Sequence, residues 1–223
     1  MLTRVRLGWW FALVGTIAAI NYASRFAGGT TGTGGRNELY TYSGALGGAI
    51  FYALFFAFAY AIAAIDTDTF FALRRPTSWG RAIGPALTIL VAIYVWSYLV
   101  SLLPLPQSPG KEQGLTPSHW EPHFAKQYAA NFVVIAIVAP FVEELAFRGV
   151  GFGLLIGRIG RIATIVTVGI AFGLAHGLVE GLLVLVPFGA ALAYLRDRTD
   201  STLPGMAVHC AFNSIALVAV IAS

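Results

Sequence analysis

The sequence predicts a polytopic bundle of about seven membrane-crossing α-helices, and three observations predict it. The chain of 223 residues is 57% hydrophobic and 11% charged, with a mean hydropathy of +0.76. Soluble domains carry about 25% charged residues, so there are too few charges here to clothe a water-exposed surface. Uncharged runs extend over Leu7–Ser24, Leu39–Ile65, Ala82–Gly110, Ile162–Val179 and Ser201–Ser223, each close to or beyond the roughly 20 apolar residues that cross a hydrocarbon core. Alternating segments of the membrane-barrel type are absent, and lipid leaves no backbone polar group unpaired, so the crossings are expected to be helical.

In chain order, spans are expected near 7–24, 43–65, 82–103, 128–157, 162–178, 181–195 and 203–222. The start, Met1–Arg6 before an apolar run with small residues at Tyr22-Ala23-Ser24, imitates a secretory signal, but Trp9 and Trp10 suit the interfacial anchor of a retained first span. Gly28–Gly35 holds five glycines among eight residues; lacking the Gly-Lys-Ser/Thr ending of a phosphate loop, it reads as a flexible outer loop. Leu105–Lys126 is the largest polar loop. Its His119-Trp120-Glu121-Pro122-His123 is not the His-Glu-x-x-His zinc signature, because the glutamate falls at the wrong offset and Pro122 opposes the helix; an exposed loop is expected. The fourth span is long for one crossing and carries Pro140, which invites a kink or a division into two pieces, giving eight elements. Glycines at Gly149, Gly153 and Gly157, and at Gly169, Gly173, Gly177 and Gly181, form small-residue ridges expected to pack spans 4 and 5 closely. No internal repeat is visible, which weakens the transporter architectures built from duplicated halves.

Charge supplies topology. Of the twelve arginines and two lysines, all but Arg148, which lies inside a span, stand singly or in pairs at span ends, which argues against a nucleic-acid surface. Nine of them (Arg4, Arg6, Arg74, Arg75, Arg81, Arg158, Arg161, Arg196, Arg198) fall on one side and four (Arg25, Arg36, Lys111, Lys126) on the other. The positive-inside rule then gives a cytoplasmic N-terminus and an outside C-terminus. A lone cysteine, Cys210, excludes an intrachain disulfide and reads as a small core residue. The whole is expected to be one integral membrane domain, 1–223, with N-terminal spans in 1–125 and the chemistry in 126–223.

Ionisable groups inside a bilayer are costly, so each is by default a functional hypothesis. Glu143 and Glu144 with Arg148, then His176, then His209 with Asn213, sit on successive spans. Residues four apart share a helical face. Glu144 and Arg148 are therefore expected to pair, leaving Glu143 as a free carboxylate, while His209 and Asn213 present two polar side chains in one direction. Glu143 lies fourteen residues before Gly157 and His176 fourteen after Ile162, each roughly 21 Å from the Arg158–Arg161 turn, which sets them level; His209, six residues into its span, comes out at roughly 9 Å and does not match.

Glu-Glu-x-x-x-Arg at 143–148, Phe-x-x-x-His at 172–176 and His-x-x-x-Asn at 209–213, in that order on separate spans, resemble the three motifs of the CPBP family. These are the CAAX protease and bacteriocin-processing intramembrane endopeptidases, also called the type II CAAX prenyl endopeptidase or Abi family. The likeness covers about Pro140 to Ser214; the first 125 residues match only in being apolar spans. The resemblance implies hydrolysis of a peptide bond in a membrane-anchored peptide or lipidated protein, at the bilayer, in a role of CAAX processing or of bacteriocin processing and self-immunity.

On that reading Glu143 is the general base, holding and deprotonating a water together with His176, and His209 and Asn213 donate to the oxyanion. Glu144, Arg148 and Phe172 give structural support. No cofactor is favoured. The rival version places a divalent metal such as zinc between Glu143, His176 and His209, since three protein ligands and a water make a catalytic zinc site. A different class of reading is a proton-coupled transporter or channel using the same Glu and His residues, which would require polar groups at successive depths on the early spans; spans 2 and 3 offer only Ser, Thr, Tyr and Trp. A Cys210 nucleophile is disfavoured, because adjacent helix positions point apart. Glu180 stays without a role.

Overall fold

The computed structural model describes residues 2–27, 37–106, 112 and 120–221, and among these there are eight helices and no strand. The all-α bundle expected from composition is what forms. Helices α1 (Leu2–Phe26), α2 (Tyr42–Ala63) and α4 (Trp79–Ser101) are each long and apolar enough to cross a membrane, and a short α3 (Thr67–Phe71) follows α2. The fourth span is one continuous helix rather than two pieces. It runs through α5 (Ala125–Val133), a π-helical stretch (Val134–Val138), α6 (Ala139–Glu144), a second π-helical stretch (Leu145–Gly151) and α7 (Phe152–Ile159). Then come α8 (Arg161–Ala175), α9 (Leu182–Thr199) and α10 (Leu203–Ile221). These last three are shorter or more charged than the first four spans.

Burial separates the centre from the periphery. In its most apolar window the long helix is 56% buried, whereas α1, α2 and α4 are 11–17% buried, so the long helix is the post around which the others stand and they turn apolar faces outward, as a helix bathed in lipid must. Trp10 of α1 is fully buried and donates its indole N–H to the Ala146 carbonyl at 2.9 Å. It ties α1 to the post from the interior rather than standing on the surface, whereas Trp9 is exposed.

The glycine ridges serve other partners than expected. A Cβ on Gly149 would lie 2.9 Å from the Phe70 carbonyl oxygen, so that glycine admits α3. A Cβ on Gly169 would lie 2.8 Å from the Ala190 backbone nitrogen, and one on Gly173 would lie 2.5 Å from Val186, so α8 uses its glycines to approach α9. Close backbone approach is what small residues permit in lipid.

Two loops differ from a plain exposed connection. Trp120 packs edge-on against Tyr128 at 5.1 Å and tilts over Tyr40 at 6.1 Å, anchoring the end of the long loop, while His123 is exposed. The glycine stretch 28–35 and His119 lie outside the described residues. The α9–α10 turn is recessed: Ser201 and Thr202 are at most 1% exposed, Thr202 N–H donates to the Ala72 carbonyl at 3.2 Å, and Ser201 Oγ donates to the Arg74 carbonyl at 2.5 Å.

Candidate active site

Proline chemistry shapes the helix that carries the carboxylates. In the first π-helical stretch the amide of Ala139 donates to the Val134 carbonyl, five residues back. In that register the next donor would belong to Pro140, which has no N–H, so the Ile135 carbonyl loses its helical partner. Asn213 supplies one from α10, its Nδ2 donating to Ile135 O at 2.8 Å. Buried carbonyls in lipid must be paired, and this bond holds α10 against the post about two turns before the carboxylates. The helix bends its hydrogen-bond register where sequence expectation allowed a break, and π segments of this kind recur at functional sites.

Glu144 and Arg148 are both fully buried and paired at 2.8 Å, the i,i+4 contact surviving the second π stretch. The guanidinium also donates to the Gly189 carbonyl at 3.0 Å and lies over the Phe172 ring at 4.3 Å. His209 Nδ1 meets the same Glu144 oxygen at 3.1 Å. A charge buried this deeply is sustained only when it is paired and hydrogen-bonded, and Glu144 is the hub of that pairing. Its other oxygen, Oε2, has no hydrogen-bond partner among the described residues and faces Gly205, where a Cβ would come within 2.7 Å. Phe172 forms the floor, its ring edge-on to His176 at 4.7 Å and to His209 at 5.6 Å.

Glu143 is not free. Its Oε1 accepts the Tyr52 hydroxyl at 2.7 Å, a contact from α2 that sequence reasoning missed. Its Oε2 stands 3.9 Å from His176 Nε2 and 3.7 Å from His209 Nε2. Those separations exceed a direct hydrogen bond and suit groups that meet through a small intervening molecule. The three side chains line one cavity of about 160 Å³, together with Tyr52, Phe212 and Asn213. Glu143 is 8% and His209 3% exposed in their side chains, against 19% for His176.

The level of His209, which residue counting left inconsistent, is explained by the recessed turn. Because α10 starts from buried Ser201 and Thr202, six residues carry His209 down to Glu143. His176 is the C-cap of α8, and its Nδ1 lies 2.7 Å from the Phe172 carbonyl oxygen. A carbonyl only accepts, so Nδ1 carries the proton and Nε2 presents a lone pair to the cavity. Glu180 is buried beside Arg25 at 3.6 Å, away from this cavity's lining. Cys210 is half-buried and does not line it. Among the described residues no group of three or more His, Cys, Asp or Glu is gathered as a metal-ligand set, although Glu143 Oε2 and the two Nε2 atoms face one another.

Residues 125–215 match a family model described as Type II CAAX prenyl endopeptidase Rce1-like. That segment contains Glu143, Glu144, Arg148, Phe172, His176, His209 and Asn213, whereas Tyr52 lies outside it. No curated protein and no solved structure matches the chain. The match supports a protease, and with the apolar helices it supports an integral membrane protein.

Proposed function

We propose, from the premise that residues 125–215 carry an Rce1-like type II CAAX prenyl endopeptidase domain, that the protein cleaves a peptide bond in a membrane-associated, prenylated protein by glutamate-activated water. The observation that supports it most is the convergence of Glu143 Oε2 with the Nε2 atoms of His176 and His209, at 3.9 and 3.7 Å, in one cavity.

The chemistry follows from the donors and acceptors. A water in the cavity gives one O–H to Glu143 Oε2 and the other to the His176 Nε2 lone pair, which turns its own lone pair toward an incoming carbonyl carbon. Glu143 takes the proton as the C–O bond forms, and returns it to the amine nitrogen as the C–N bond breaks. Tyr52 holds the other carboxylate oxygen, so one oxygen alone acts.

His209 Nδ1–H is committed to Glu144, so Nε2 donates to the oxyanion when the ring is protonated; His209 and Arg148 then balance Glu143 and Glu144. Asn213 spends one N–H on Ile135 and has a second for the same oxyanion. An oxyanion donor is worth about 3–4 kcal/mol of transition-state stabilisation. These steps use only side-chain groups; a divalent metal, if bound, would be held by Glu143, His176 and His209 and would supply a polarised water. The excess of basic residues on one side supports a cytoplasmic N-terminus and an outside C-terminus.

The test is cleavage of a membrane-tethered, prenylated peptide reporter by purified protein, compared with Glu143→Ala and His176→Ala, with and without chelator. Loss in both variants with activity retained in chelator is expected. Cleavage abolished by chelator and restored by zinc would instead assign a metal to the three side chains.

A further inference from the structure

His176 sits at the last position before a turn, and groups outside the matched segment hold that turn from α1 and from Glu112. The chain leaves α8 through Gly177, whose φ of +66° is the left-handed conformation glycine adopts freely. A Cβ there would fall 2.5 Å from Asn21 Cβ, so the α1 backbone lies directly against it. Asn21 Nδ2 donates to the Ala175 carbonyl at 2.7 Å, and the Tyr22 hydroxyl donates to the Leu178 carbonyl at 2.8 Å. Two amides of the turn, Val179 and Gly181, each donate at 2.6 Å to one oxygen of Glu112. The Glu112 side chain is completely buried, and Arg25 pairs with it at 2.6 Å while reaching Glu180 at 3.6 Å.

We propose that Glu112, oriented by Arg25, is a positioning residue for His176: its carboxylate clamps the 177–181 turn and thereby sets the height and direction of the imidazole facing Glu143. This rests on the reading of His176 as a water-holding group. A bidentate carboxylate on two backbone amides is a strong, geometrically defined contact, and it lies three and five residues from His176. The same interaction gives Glu180 a role, as the second carboxylate that keeps Arg25 in place. Catalytic geometry is unforgiving: a misplacement of about 1 Å can cost about a hundredfold in rate.

The experiment pairs an activity readout with one that is independent of activity. Backbone hydrogen exchange across 176–182 is measured in full-length wild type, Glu112→Gln and Glu112→Ala in detergent, alongside reporter kinetics. Tyr22→Phe, which removes one turn bond and leaves Glu112 alone, is a second and milder variant. Expected are faster exchange at Val179 and Gly181 in Glu112→Ala, a fall in kcat of about ten- to a hundredfold with KM within about twofold, a smaller fall in Glu112→Gln, and a smaller one again in Tyr22→Phe.

Unchanged exchange at those amides, unchanged kcat in Glu112→Ala, or a loss no larger than a matching global drop in melting temperature, would each overturn the clamp. If exchange rises as expected while wild type and every variant fail alike to cleave the prenylated reporter, the clamp holds the turn and the peptidase reading is what fails.

Discussion

The Tyr52 hydroxyl and the Glu143 carboxylate meet at 2.7 Å across α2 and the long helix, and this contact decides which oxygen of Glu143 faces the imidazoles. A tyrosine from outside the matched segment thereby becomes part of the site. The contact is short and charge-assisted, and its removal leaves Glu143 able to rotate.

Tyr52→Phe should therefore lower kcat by about ten- to a hundredfold, the size expected for losing a hydrogen bond to a charged group, with little change in KM. Steady-state cleavage of the reporter checks it. An unchanged kcat would mean that Glu143 is held by packing alone.

Breaking the buried ion pair from one side should be far worse than removing it. Arg148→Met leaves Glu144 and its companions uncompensated, and should cost about 3–5 kcal/mol of stability, whereas Glu144→Gln combined with Arg148→Met should cost less. Thermal melting in detergent, run as a double-mutant cycle, separates the two.

Gly205→Ala tests the packing around the hub. The added methyl would meet Glu144 Oε2 at 2.7 Å, too close for contact, so Glu144 or α10 must shift and His209 with it. A fall in both melting temperature and kcat is expected, of about 1–3 kcal/mol in stability.

The recessed α9–α10 turn gives a pH dependence outside the membrane-spanning segments. Burial opposes ionisation of Asp200, but hydrogen bonds from Arg74 at 2.6 Å and Arg196 at 2.9 Å outweigh it and hold the carboxyl below its ordinary value of 3.8. A folded-state value depressed below the unfolded one means stability present above pH 3.8 and lost as pH falls through the lowered value. The melting-temperature difference between wild type and Asp200→Asn should accordingly be constant at neutral pH and shrink below it only under acid conditions.

Much of this was legible in the residues. Composition set the fold class, because no arrangement of 11% charged residues makes a soluble shell. Spacing paired Glu144 with Arg148 and set Glu143 level with His176, since both follow from the helical rise. Three things escaped. Tyr52 is one aromatic among many in α2, whose apolar residues run all round the helix, so no periodic signal marks it. The π register around Pro140 depends on Asn213 arriving from another helix to satisfy Ile135, which is tertiary information. The level of His209 depends on where its turn is anchored, and that is decided by hydrogen bonds to Ala72 and Arg74, more than a hundred residues earlier.

The most direct test of the central claim is the cleavage rate of Glu143→Gln, which keeps the shape of the side chain and an acceptor for Tyr52 but cannot take a proton from water. The account predicts a melting temperature within a few degrees of wild type and a loss of at least about a hundredfold in reporter cleavage, the range that general acid–base catalysis contributes. A well-folded Glu143→Gln that cleaves within a few-fold of wild type would contradict it.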